Sequence, residues 1–194
     1  MRTEETVVFD SIIDPTVGPA AALERDRPTL AARPGSLSGL RLGLLANTKR
    51  NAEQFLADVG RELAEQYGMV QVLAVKKPNI VETAPAEMMA ELTEQCDIVV
   101  AGVGDCGSCS ASAVADGILL EQAGIPAAVI ISDAFTVSAN AMADLRHAPG
   151  YAYVTTPHPV ANLTDQGVQA RAAEAVPAIV ALLTEPVMAT AASA

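Results

Sequence analysis

Short apolar runs and amphipathic segments alternate five times between residues 40 and 184, and this alternation restricts the fold more than any other feature. The apolar runs are bounded by turn residues, and apolar and polar residues do not alternate within them. Such continuous runs are typical of parallel strands that are covered on both faces. They are residues 40–46, 70–75, 97–104, 126–132 and 151–156. The segments with helical spacing are residues 51–67, 85–95, 110–123, 135–147 and 164–184. We therefore predict a doubly wound α/β fold whose five-stranded parallel sheet has the flavodoxin-like order 2-1-3-4-5.

The regular pattern does not reach the ends of the chain. Residues 1–38 contain four prolines and lead into a turn-forming stretch rich in Gly and Ser. We predict an irregular N-terminal arm over 1–38, with a short strand at TVVFDSII. An α/β domain over 39–186 and a C-terminal tail over 187–194 complete the predicted organisation.

The composition excludes several classes of partner. The 194 residues are 51% hydrophobic, which is enough for a full core, and the formal net charge is -11. Such an acidic surface repels nucleic acids and anionic lipids. The sequence shows neither a membrane-spanning apolar run nor the apolar region of a secretory signal. We expect a cytoplasmic protein; the low aromatic content, 3%, and the apolar arm are compatible with a homodimer.

The predicted strand order locates the ligand site. In doubly wound sheets, ligands bind outside the carboxyl ends of the strands, where the strand order reverses. That point lies between strands 1 and 3, which lead into ANTKRN at 46–51 and GDCGSC at 104–109. We therefore predict that these two loops line one crevice.

Residues 102–112, GVGDCGSCSAS, contain two overlapping motifs. Gly102, Gly104 and Gly107 fit the dinucleotide fingerprint G-x-G-x-x-G, and Asp133 could serve as its ribose-binding acid. The fingerprint normally follows the first strand of its unit, however, and Asp105 would bring a negative charge beside a pyrophosphate. The simpler interpretation of these glycines is a tight turn with close backbone approach.

The second motif is C-x-x-C, formed by Cys106 and Cys109. A helix predicted to begin near these residues favours their thiolates through its N–H groups and its dipole. The second thiol can resolve an adduct formed on the first. The alternative is that both are small buried hydrophobes, as free cysteines often are. Cys96 precedes strand 3 at the opposite edge, so we expect it to serve only packing.

Metal binding is a third interpretation of the same residues. Cys106, Cys109 and His158 would give zinc three ligands and leave one position open. No second C-x-x-C or His pair completes a closed site, so we predict that no metal is bound.

Other polar residues follow strands at the same edge. His158, between two prolines after strand 5, is suited to act as acid, base or anion binder, or only to cap a turn. Lys49 and Arg50 are suited to bind a carboxylate or phosphate, or only to be solvated at a helix start. The helix dipole disfavours cations at that position, which favours the binding role. Lys76 and Lys77 are expected to be solvated. The predicted substrate-binding residues are Asn47, Thr48, Lys49, Gly104, Gly107, Ser108 and Asp133.

The motif GVGDCGSCSAS resembles the signature of the UGSC family of selenoproteins and their cysteine homologues. Cys106 occupies the selenocysteine position, and Cys109 the cysteine position. The resemblance covers most of residues 14–184 and includes DPT, LGLLANTKRNA, GIP and PHPVANLTD. The family is distantly similar to the substrate-specific selenoprotein component of glycine reductase, in which a selenol attacks carbon and displaces a leaving group. The resemblance implies a reactive chalcogen site. In this chain the reactive atom is sulfur, and a thiol has a higher pKa than a selenol.

Together these features predict a thiol-dependent enzyme acting on a small polar or anionic metabolite. Cys106 is the predicted nucleophile and Cys109 resolves or assists, while Asp105, His158 and Lys49 move protons and anchor the substrate. The reaction class stays open between reductive displacement, thiol redox exchange and redox-neutral addition, hydrolysis or elimination. No cofactor is expected, and a thiol reductant would serve a reductive reaction. The alternative is a nucleotide- or flavin-binding module, or a non-catalytic subunit, that uses the glycine-rich loop.

Overall fold

The computed structural model describes residues 28–185, which form five strands and five α-helices in alternation. The predicted strand at TVVFDSII and the tail over 187–194 lie outside the described residues. The strands are β1 Arg41–Ala46, β2 Val70–Lys76, β3 Ile98–Gly104, β4 Ala127–Ser132 and β5 Val154–Thr156. The helices are α1 Ala52–Tyr67, α2 Ala86–Gln95, α3 Gly107–Gln122, α4 Thr136–Leu145 and α5 Asp165–Thr184.

The sheet has the order β2-β1-β3-β4-β5, and every neighbouring pair is parallel. This order confirms the predicted doubly wound fold. Strands β1 and β3 lie side by side, with Ala46 opposite Gly102 at their carboxyl ends. The loops that follow these two strands therefore leave the sheet next to each other.

Each face of the sheet is covered by its own apolar core. One core joins the sheet to α1 and α5, with Phe55 and Ile179 among its members. The other joins the sheet to α2, α3 and α4, and includes Leu92 and Ile118. Every residue of β3 is buried, because this central strand has helices on both faces. The continuous apolar runs in the sequence follow from this double coverage.

Two element boundaries differ from the sequence prediction by three residues, and the others differ by no more than two. Helix α3 begins at Gly107 instead of Ser110, because Cys106 has extended backbone and its Sγ accepts the N–H of Cys109. A side chain that accepts a backbone N–H in this way caps a helix N-terminus. Strand β5 begins at Val154 instead of Tyr151, since the N–H of Tyr151 bonds to Ala148 in a turn.

The described end of the arm is attached to the domain by a buried ion pair. Arg33 contacts Glu121 of α3 at 2.7 Å, and its Nε donates to the carbonyl of Leu182 at 3.0 Å. The other donors to Glu121 are the backbone N–H groups of Ala31 and Ala127. This carboxylate therefore joins the arm to two elements of the domain.

Helix α5 contains 20 residues. Within residues 28–185, no helix combines the length and the apolar character needed to cross a membrane.

Lys77 is buried, which corrects the prediction that it is solvated. It is 2% exposed, and its Nζ contacts Asp116 of α3, which is 1% exposed, at 2.5 Å. The same Nζ donates to Ser112 Oγ at 2.6 Å and to the carbonyl of Glu82 at 2.8 Å. Burial raises the pKa of Asp116 by more than the Lys77 ammonium lowers it. The pair fixes the segment after β2 against α3.

Replacing Lys77 by Met should lower the free energy of unfolding by about 3–5 kcal/mol, because it leaves the Asp116 carboxylate buried without its counter-charge. Urea unfolding of the variant and the parent protein measures this difference. Lys76→Met is the matched control, since Lys76 is exposed and pairs at the surface with Glu53. Equal, small losses in both variants would show that the Lys77 pair does not support the fold.

Candidate functional site

Asn47 joins the loop after β1 to the end of β3. Its Nδ2 donates to the carbonyl of Val103 at 2.9 Å, and its backbone N–H donates to the carbonyl of Gly102. Its Oδ1 accepts the N–H of Lys49 at 2.9 Å. Both polar atoms of this buried side chain are therefore occupied by backbone groups. Asn47 holds the first loop beside the second.

Asn51 attaches the same loop to the segment after β5. It lies just before α1 with left-handed backbone, φ 70°. Its Nδ2 donates to the carbonyls of Val160 and Leu163 at 3.0 and 3.1 Å. The loops after β1, β3 and β5 thus form one assembly at the carboxyl edge of the sheet.

Gly104 allows the close approach of β3 and α3. A Cβ at this position would lie 2.6 Å from Ser110 Oγ and 2.7 Å from Ser110 Cα. A larger residue would push the start of α3 away from the strand. Gly107 is less restricted, since a Cβ there would meet only Ser138 Oγ, at 3.2 Å. The close-approach interpretation of the glycines therefore accounts for Gly104 without a bound phosphate.

Cys106 and Cys109 face each other at the start of α3. Their sulfurs are in contact, and their Cα atoms are 5.4 Å apart, within the range of about 4.4–6.8 Å that disulfides span. The Sγ of Cys106 accepts the N–H of Cys109 at 3.3 Å. The Sγ of Cys109 lies 3.1 Å from the N–H of Asp105. Each sulfur therefore lies near a backbone donor.

The two cysteines differ in their access to solvent. Cys106 is partly exposed and has the exposed Ser108 beside it, with 3.7 Å between Sγ and Oγ. Cys109 is completely buried behind it. A reagent from solvent thus reaches Cys106 first. Cys96 is buried near the amino edge, where burial raises its pKa.

The carboxylate of Asp105 is buried and accepts four hydrogen bonds. Ser132 Oγ, the Nδ1 of His158 at 2.9 Å and the N–H of Val160 at 3.1 Å share its Oδ1. The N–H of Ala161 donates to its Oδ2 at 2.9 Å. The side chain therefore faces these donors, while the backbone N–H of the same residue faces the sulfur of Cys109.

The charge of Asp105 follows from these contacts. Burial raises its pKa, but the hydrogen bonds from Ser132, Ala161, Val160 and His158 lower it by more. The pKa of Asp105 therefore lies below the ordinary value, and the carboxylate is ionised at neutral pH.

His158 is held at the surface of the site. Its side chain is 38% exposed, and its backbone N–H donates to Asp133 Oδ1 at 3.1 Å. The ring of Phe135 meets it edge to face, with 5.1 Å between centroids. Because the ionised Asp105 can only accept, the Nδ1 of His158 carries a hydrogen. The Nε2 is then the ring nitrogen left for another partner.

The structure brings most of the predicted residues to one edge and adds others. Thr48 is exposed and Lys49 partly exposed, on the loop held by Asn47. Sequence reasoning missed Ser132, Asn51 and Phe135. Ser132 could have been found, because it ends β4 at this edge.

In the described part of the chain, no cluster of three or more His, Cys, Asp or Glu side chains is arranged to hold a metal ion.

Comparison with protein-family models agrees with the sequence pattern. The structure defines an α/β protein with a cysteine pair at the carboxyl edge of a parallel sheet. The model of the UGSC family matches residues 11–185, and the chain belongs to that family. The resemblance noted in the sequence is thereby confirmed. No curated protein matches the chain.

Two solved structures show weak similarity. One is described as an ABC transporter permease from the Pseudomonas fluorescens group, with 20% identity and a TM-score of 0.35 over 62% of this chain. This chain spans only 27% of that protein's length. The other is the FMN-dependent cysteine decarboxylase SpaF, with 12% identity and a TM-score of 0.37, covering 73% of this chain and 99% of that one.

The stability of the protein should depend on the charge of Asp105. Because its pKa is lower in the folded protein than in the unfolded chain, the carboxylate stabilises the fold above the unfolded pKa of about 3.9. That contribution is lost as the pH falls through the lower folded pKa. Asp105→Asn should therefore be less stable than the parent protein near pH 7, and the difference should shrink below about pH 4.

Urea unfolding over a pH series measures this difference. Asp133→Asn is the control, because Asp133 is an exposed neighbouring carboxylate that accepts one hydrogen bond from the same loop. A stability difference for Asp105→Asn that stays constant from pH 7 to the acid limit would contradict the lowered pKa.

Proposed function

We propose that the protein is a thiol-dependent enzyme that acts on a small polar or anionic metabolite, with Cys106 as its nucleophile. One observation carries the proposal. A partly exposed cysteine caps helix α3, and the adjacent Asp105 holds an imidazole through a buried carboxylate. A nucleophile and an oriented proton carrier are the components that covalent catalysis requires.

The surroundings of Cys106 favour its thiolate form. The N–H of Cys109 donates to its sulfur, and the N-terminus of α3 adds a positive partial charge. An adjacent carboxylate would oppose this by raising the pKa of a thiol. The Asp105 carboxylate instead accepts bonds from Val160 and Ala161 in the loop after β5, which limits its effect on the sulfur.

His158 has the tautomer that a general base needs. With Nδ1 hydrogen-bonded to Asp105, its Nε2 can take a proton from a thiol or donate one to a leaving group. Asp105 acts on this step by orienting the ring. Asp133 adds to the orientation through the backbone of His158.

The proximity of the cysteines supports a reductive displacement. The Cys106 thiolate attacks a substrate carbon, and the leaving group departs with its electron pair and takes a proton. The Cys109 thiolate then attacks Cys106 Sγ, so that an S–S bond forms, the C–S bond breaks and the released carbon is protonated. The substrate gains two electrons, the dithiol becomes a disulfide, and an external thiol reductant restores it.

A redox-neutral reaction would use the same first step. The Cys106 adduct would then be released by water or by elimination, and Cys109 would remain a thiol. The competing function, a nucleotide- or flavin-binding module or subunit, needs free donors at the start of α3. The N–H of Cys109 already donates to Cys106, which weighs against that use.

Cys106→Ser should abolish both fast alkylation and the formation of a metabolite adduct, because it removes the partly exposed sulfur. Cys109→Ser should still form the first adduct, and should turn over slowly if the reaction is reductive. Intact-mass spectrometry of the reduced protein, after exposure to iodoacetamide or to a pool of metabolites, measures both.

Cys96→Ser is the matched control, since this cysteine is buried outside the site and should leave both reactions unchanged. A substrate adduct on Cys109 with Cys106 free would reverse the two roles. Flavin or nucleotide absorbance in the purified protein, together with slow alkylation of Cys106, would favour the binding module.

His158→Ala should lower turnover of the substrate identified in this way by about 10²–10⁴-fold, because it removes the group that transfers protons. Steady-state kinetics over a pH series measures the change. His147→Ala is the control, as His147 is exposed and follows α4. Unchanged turnover in a correctly folded His158→Ala protein would show that His158 only caps its turn and transfers no proton.

A further inference from the structure

Resting on the proposed function, we infer that Lys49 and Arg50 form an oxyanion-binding pair for the substrate of Cys106. The substrate then carries a negatively charged oxygen group, a carboxylate or a phosphate.

Most cationic side chains in residues 28–185 are paired with an acid. The paired residues are Arg33, Arg41, Arg61, Lys76, Lys77 and Arg171. Lys49, Arg50 and Arg146 make no ion pair within that range. Arg146 follows α4, which leads away from the carboxyl edge of the sheet. Lys49 and Arg50 are therefore the described cations at that edge that no described acid neutralises.

The loop that carries the two cations is fixed at both ends. Asn47, on one side, is bonded to the end of β3, two residues before Asp105. Asn51, on the other side, is bonded to the segment that follows His158. The fold thus anchors Lys49 and Arg50 between the cysteine loop and the histidine loop.

The acids at this edge form no ion pair with Lys49 or Arg50. Asp105 is occupied by four hydrogen-bond donors, and Asp133 accepts the N–H of His158. Cations at the start of α1 are also disfavoured by the helix dipole. Two unpaired cations held at this edge would attract an anion, although the chain as a whole carries a net charge of -11.

Two alkylating reagents of similar shape test the inference. Iodoacetate carries a carboxylate next to the carbon that the thiolate attacks, and iodoacetamide carries a neutral amide in its place. In both reactions a C–S bond forms and iodide leaves with the electron pair. We would measure the rate of alkylation of Cys106 in the reduced full-length protein by mass spectrometry, and the same two rates for glutathione.

The ratio of the iodoacetate rate to the iodoacetamide rate should exceed that of glutathione by about tenfold, which corresponds to about 1.4 kcal/mol of preference for the anion. Lys49→Met and Arg50→Met should each lower the ratio, and the double variant should bring it to the glutathione value or below. Lys76→Gln is the matched control, because it removes a positive charge from the same edge that is already paired with Glu53. Its ratio should equal that of the parent protein.

Competition by inorganic phosphate and by acetate then shows whether the pair prefers a phosphate or a carboxylate. The anion that slows the iodoacetate reaction at lower concentration identifies the preferred group, and failure of both to compete would overturn the inference. A ratio equal to that of glutathione, or an equal fall in Lys76→Gln, would also overturn it while leaving Cys106 as the nucleophile. Slow reaction of Cys106 with both reagents would instead overturn the proposed function.

Discussion

The buried carboxylate of Asp105 is the interaction on which the rest of the site depends. It accepts hydrogen bonds from β4 through Ser132 and from the segment after β5 through His158, Val160 and Ala161. An ionised group in this position is stable only because each bond compensates part of its lost hydration. The same bonds fix the imidazole. Charge, loop position and ring orientation therefore change together if any of these donors is lost.

Much of the fold could be predicted from local sequence, because each element carries its own signal. The apolar strands and the helices between them determine a parallel sheet, and the order of such sheets locates Cys106 and Asn47 at one edge. Boundaries were less accurate where a side chain decides them, as at Cys106, whose sulfur caps α3 three residues earlier than predicted. Helix propensity alone does not predict a hydrogen bond between a side-chain sulfur and a backbone N–H.

The contacts that could not be predicted join residues far apart in the chain. Lys77 follows a strand at the edge of the sheet and has the sequence context of a solvated residue, but Asp116 and Ser112 of α3 enclose it. Asn51 was one polar residue among several, and only the fold brings it to Val160 and Leu163. Sequence shows which side chains can form such bonds, while tertiary packing selects the partners.

Residue 105 performs two tasks with two different parts of its structure. Its backbone N–H lies against the sulfur of Cys109, and its side chain holds His158. Every amino acid except proline offers the first group, whereas the second demands a short carboxylate. A single substitution at this position can therefore remove the imidazole support while the chain keeps a backbone N–H that can face the sulfur. Natural relatives that differ at this position would separate the chemistry of the thiols from that of the proton carrier.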